Sequence, residues 1–93
     1  MSGESVDWMS ASPIRQGEKL FKGDQTSVYN PETGGLHVLN PSALAIWELC
    51  DGETTGAEMV EAVVELARLE AATAEADVSA ALQQLFDLRL VRR

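Results

Sequence analysis

The sequence predicts an α+β domain in which a small three-stranded antiparallel sheet is followed by three helices. Residues 13–39 hold short β-branched and aromatic runs separated by clusters of Gly, Pro, Asn and Asp. At Asn40-Pro41 the apolar spacing changes from a strand period to a helical one, and two further stretches with helical spacing follow. A chain of 93 residues, 45% of them apolar, suits one small domain with a modest core. The same inventory of a small sheet and three short helices also describes winged helix-turn-helix domains.

Residues 1–12 are polar and Ser-rich, with Trp8 and Met9 as conspicuous apolar groups, and read as a flexible arm before a domain over residues 13–93. Pro13, Ile14 and Arg15 lead into Glu18–Lys22, an edge strand that Gly23-Asp24 ends. Thr26–Tyr29 is the second strand, and the turn-rich Asn30-Pro31-Glu32-Thr33-Gly34-Gly35 joins it to a third, Leu36–Leu39. Strands joined by so short a loop pair antiparallel.

Asn40 is a good N-cap, and Pro41 at the first helical position loses no hydrogen bond. Ala43, Ile46, Trp47 and Cys50 fall on one stripe, which carries Trp47 into the core, and Asp51-Gly52 stops the helix. Thr55 and Glu58 form a capping box that opens a second helix running to about Leu69. Met59, Val60, Val63, Leu66 and Ala67 make its buried stripe, and Glu58, Glu61, Glu65 and Arg68 its wet side. Thr73 is the expected N-cap of a third helix, with Val78, Ala81, Leu82, Leu85 and Leu88 on one face, ending near Arg89. Leu90-Val91 adds a terminal extended segment.

Charge narrows the function. Fifteen acidic side chains against seven basic ones give a net charge of −8 and a pI near 4.4, a poor match for phosphate-rich partners. Cys50 is the single cysteine, so neither an intrachain disulfide nor a zinc site of several thiolates can form. The N-terminal sequence lacks a basic start with an apolar run, and no window approaches the roughly 18 apolar residues of a membrane helix. A soluble cytoplasmic protein without a membrane partner is expected. His37, the one histidine, has no His or Cys at ligand spacing, and Cys50 has no nearby activating histidine. We expect no metal, no cofactor and no catalytic residue, because no nucleophile, base and orienting group come together.

The run His37-x-Leu39-Asn40-Pro41-Ser42-Ala43-x-x-Ile46-Trp47-Glu48-Leu49-Cys50-Asp51-Gly52-x-x-Thr55 resembles the central signature of the PqqD-like proteins, named for coenzyme PQQ synthesis protein D. Tyr29-Asn30-Pro31-Glu32-Thr33-Gly34 before it and Asp77-Val78-x-x-x-Leu82-x-x-Leu85 after it are similar too, so the likeness spans about residues 13–91. Arg89-Leu90-Val91 departs from the Gly-Leu-Val that similar sequences often carry there.

The resemblance implies a winged-helix-like RiPP recognition element, where RiPP denotes a ribosomally made and post-translationally modified peptide. Such a domain is not an enzyme. It binds the leader of a precursor peptide as an added strand and presents the rest to a modifying enzyme, a radical S-adenosylmethionine protein or another tailoring enzyme. By position, the strand is Leu36, His37, Val38 and Leu39, and the helix wall is Val78, Leu82, Leu85 and Phe86. Strand addition has a physical basis, since an edge strand offers unpaired N–H and C=O groups while alternate ligand side chains fill apolar pockets. Phe86 sits off the Val78–Leu85 stripe, which leaves it free to close the core or to line the groove. The alternative function is a winged-helix DNA-binding regulator, against which stands a third helix with Asp77 and Asp87 and no basic residue from Glu75 to Leu88. A dimer is compatible with the sequence.

Overall fold

Asn40 marks the point where sheet gives way to helices, and its geometry is that of a cap. Its backbone is extended, and its side-chain oxygen accepts the Ala43 amide at 2.8 Å. The computed structural model describes residues 7–22 and 25–93. In chain order these form β1 (Ile14–Arg15), β2 (Glu18–Lys22), β3 (Gln25–Asn30), β4 (Gly35–Val38), α1 (Pro41–Leu49), α2 (Gly56–Ala67), α3 (Ala71–Asp87) and β5 (Val91–Arg92). The antiparallel sheet β2-β3-β4 and the three helices are the α+β arrangement expected. The expected Gly23-Asp24 turn lies outside the described residues.

Register separates the two faces of the sheet. Val28 pairs with His37 and is fully buried, so this face meets the helices. Ser27 pairs with Val38 and Tyr29 with Leu36, which places Leu36 and Val38 on the outer face beside Leu20 of β2. All three are exposed.

The core joins Val28 to Ile46, Trp47 and Cys50 at the C-terminal end of α1, Met59 of α2, Val78, Leu82 and Leu85 of α3, and Leu90 and Val91. Trp47 donates its indole N–H to the Leu90 carbonyl at 2.9 Å. Arg15 stacks its guanidinium over the same ring, 5.9 Å from the centroid. The terminal extended segment anticipated at Leu90-Val91 is β5, and its partner is the lead-in strand β1, with Arg15 opposite Val91.

Four expectations change. The reading of residues 1–12 as a flexible arm changes where the segment is described: residues 1–6 lie outside the described residues, and Trp8 is only 4% exposed and belongs to the core. Its ring meets Phe86 edge to face at 5.6 Å, and its indole N–H reaches Gln83 Oε1 at 3.2 Å. The segment also caps α2, because the Gly56 and Ala57 amides donate to the Ala11 and Met9 carbonyls at 3.1 Å. A Cβ at Gly56 would run into the Trp8 carbonyl, so the crossing requires glycine.

Second, α1 stops at Leu49 and not at Asp51-Gly52, because Cys50 and its neighbours turn outward to β1. The Cys50 carbonyl accepts the Arg15 amide at 2.8 Å, Asp51 bridges to Ile14, and Gly52, at φ +84°, donates to Pro13. Third, α2 ends two residues before Leu69, where Arg68 adopts a left-handed conformation with φ 54°. Its last turn overhangs the core, so Leu66 is 85% exposed and Ala67 is exposed too, instead of both lying on the buried stripe. Fourth, α3 begins at Ala71, ahead of the expected Thr73 cap. Glu70 takes the cap position with no side-chain hydrogen bond, and the helix-favouring alanines that follow extend the first turn.

Candidate functional site

The sheet order leaves one long side of β4 without a strand partner among the described residues. β4 starts beside the C-terminal end of α3, because the buried Asn30 at the end of β3 donates its amide to the Arg89 carbonyl at 2.8 Å. Asn30 Oδ1 meanwhile accepts the Glu32 amide at 2.9 Å and shapes the β3–β4 turn. From there β4 leads to Asn40 at the start of α1. Asn30 thus ties the end of β3 to the segment after α3, a role the sequence reading, which treated it as a turn residue, missed. The signal was an asparagine followed by proline within a strand-ending run.

Where β4 gives way to α1, an open groove of about 490 Å³ lies between the start of α1, the end of α2 and one face of α3. Ala43, Ala45 and Ile46 of α1 and Val63, Leu66 and Ala67 of α2 line it. On α3 its wall is Asp77, Ala80, Ala81 and Gln84. Small side chains on the wall make the hollow, and the overhanging last turn of α2 closes one side. The groove is mostly apolar, and Asp77 is the one ionisable residue on its lining. Its size is that of a site for a ligand with a few large side chains.

The strand half of the expected site and its helix half stand differently. Leu36 and Val38 are 59% and 61% exposed on the outer face of β4, whereas His37 and Leu39 are half-buried on the other side. The imidazole of His37 folds back over Gly35. Val78, Leu82 and Leu85 reach no solvent and offer a ligand no surface. They hold α3 on the core, and the groove wall is the adjacent face, rotated by about one residue. Phe86 lies on the far side of that core stripe, against Trp8 and under the Arg93 guanidinium, and it lines a separate mixed-charge hollow with Gln16, Glu32, Asp87 and Arg89.

Cys50 is packed in the core. Burial pushes its thiol up to about 12, with Arg15 pulling the other way and Asp51 adding to the rise, and its S–H donates to the Ile46 carbonyl at 3.2 Å. Asp51 is held below the usual carboxylate range by the Glu53 and Thr54 amides, 2.9 and 2.7 Å from its Oδ1, helped by the Thr54 hydroxyl. It is a loop-shaping group. Among the described residues no three His, Cys, Asp or Glu side chains converge as metal ligands. No described helix is long and apolar enough to cross a membrane.

Among the described residues the site offers a strand edge without a partner and an apolar groove bordered by Asn40 just beyond it. The family model for coenzyme PQQ synthesis protein D (PqqD) matches residues 25–91, which takes in β3, β4, all three helices and the start of β5. The chain belongs to the PqqD family. Membership implies a part in the biosynthesis of coenzyme PQQ or of another modified ribosomal peptide, as a non-catalytic accessory working with a precursor peptide and a modifying enzyme. Comparison with curated proteins and with solved structures finds no match.

Proposed function

We propose that this PqqD-family protein is a cytoplasmic peptide chaperone that takes the leader of a ribosomally made precursor onto the free edge of β4 and presents the remainder to a modifying enzyme of the radical S-adenosylmethionine class. The observation that carries the reading is the side of β4 that has no strand partner among the described residues, with an apolar groove bordered by Asn40 and Pro41 just beyond the end of that strand. An added strand satisfies the orphan backbone groups of Leu36–Leu39, and its alternate side chains enter the hollow over Ala81 and Gln84. Outward-facing Leu36 and Val38 flank the strand on its other face. Nothing in this mode needs a charged catalytic group or a metal.

The winged-helix regulator fits the chain less well. Helix α3 has no basic residue along its 17 positions, and its groove face carries Asp77, which repels phosphate.

The test is calorimetric titration of the leader segment of a short precursor encoded beside this protein. We expect saturable one-to-one binding to the wild type. Gln84→Trp, which places an indole in the groove from an exposed helix position, should weaken it by about tenfold or more while leaving the melting curve in place. Full-strength binding to Gln84→Trp would move the site away from this groove.

A further inference from the structure

From the outer face of the sheet, and resting on the leader-binding reading above, we infer that the modifying enzyme docks on the exposed side of Leu20, Leu36 and Val38, and that a bound leader strand completes this surface. Of the six large apolar residues exposed among the described residues, three stand together there. Leu20 of β2 and Val38 of β4 lie on either side of Ser27, and Leu36 lies opposite Tyr29. Ser27 is only 8% exposed although it is on the solvent side of the sheet, so its apolar neighbours close over it. The patch is continuous, and a contiguous apolar patch on a small domain is often functional.

Area decides what covers it. Three side chains exposed by about half present on the order of 300 Å² of apolar surface, against the roughly 800 Å² that each partner contributes to a stable interface. A second copy brings only the same small patch, and each copy carries a net charge of −8. The leader changes the sum. Added along the side of β4 that has no strand partner among the described residues, it becomes a fourth strand, and every second side chain of it points to the outer face beside Leu36 and Val38. The face widens by one strand, and an enzyme that acts on the same peptide meets protein and leader as one surface. Docking is therefore tighter to the loaded protein than to the empty one, and by linkage the enzyme tightens leader binding by the same factor.

The experiment uses the full chain, the leader segment of the short precursor encoded beside it, and the modifying enzyme encoded there, with docking read by biolayer interferometry. Leu20 carries the test because it is 45% exposed and lies two strands, about 10 Å, from the leader edge. Saturating leader should strengthen enzyme binding by about fivefold or more. Leu20→Gln should weaken docking of the loaded protein by about fivefold or more, while leader affinity without enzyme and the melting curve stay in place. Phe21→Gln, which removes an exposed apolar side chain from the opposite face of the same strand, should leave docking intact. Docking that is indifferent to the leader, or to Leu20→Gln, would overturn the inference and leave leader binding standing. So would a dimer of this chain, seen by sedimentation velocity and broken by Leu20→Gln, since the face would then belong to a second copy. A leader that fails to bind would overturn both readings.

Discussion

Trp8→Ala is expected to remove a large part of the stability of this domain, although the residue lies in a stretch whose composition reads as a loose arm. The side chain is 4% exposed, packs edge to face on Phe86 at 5.6 Å and donates to Gln83. Burying an aromatic side chain of about 200 Å² contributes on the order of 5 kcal/mol, with the ring pair adding about 1 kcal/mol. Compact unfolded chains already bury part of that surface, which brings the expectation down to the roughly 3–5 kcal/mol seen when Trp or Phe becomes Ala in a core. Against a total of about 5–15 kcal/mol this is a large fraction. The assay is urea unfolding followed by far-UV circular dichroism. Trp8→Ala and Phe86→Ala should be less damaging together than the sum of the singles, because the two rings share one contact. A loss below about 1 kcal/mol for Trp8→Ala would refute the reasoning, since surface changes fall in that range.

Gly56→Val should behave like Trp8→Ala in the same assay, because a side chain there displaces the Trp8 carbonyl and breaks the crossing that caps α2. Cys50 should resist thiol reagents in the folded protein at neutral pH and react on unfolding. Its thiol has a folded-state value of about 12 against an ordinary 9.0. The unfolded chain therefore releases this proton first, and stability should fall as the pH rises from 9 toward 12, with a shallower fall in Cys50→Ala. The Asp51 carboxyl titrates lower in the folded chain than in the unfolded one. Its contribution is present above the ordinary carboxylate range and lost on acidification through the folded value, so Asp51→Asn should lower stability at neutral pH and flatten the acid limb of a pH–stability curve.

Local chemistry made most of the fold legible. The caps at Asn40 and Thr55, the stripe through Ile46 and Trp47, and the alternation in β3 and β4 each follow from a few neighbouring residues. What escaped depends on residues far apart in the chain. Trp8 meets Gln83 and Phe86 only after folding, so nothing within residues 1–12 announces its burial. The break between α2 and α3 rests on Arg68 in a left-handed conformation, which a non-glycine residue adopts without a sequence signal. For the site, the resemblance pointed to the strand Leu36–Leu39 and to α3, but the apolar residues it selected on the helix are those the core claims. A groove wall of Asp77, Ala80, Ala81 and Gln84 is small and polar and does not stand out by hydropathy. It is legible only once the overhang of Leu66 and Ala67 shows which face of α3 is uncovered.

Amide hydrogen exchange read residue by residue, with and without the leader segment, tests the central claim most directly. In the free protein the β4 amides that point away from β3 should exchange quickly, since no strand among the described residues covers that edge. The leader should slow exchange at these outward amides within Leu36–Leu39 and shift the side-chain signals of Ala80, Ala81 and Gln84, while those of Val78, Leu82 and Leu85 stay in place. Saturating leader that leaves the β4 amides unprotected, or that protects the edge of β2 instead, would contradict the account.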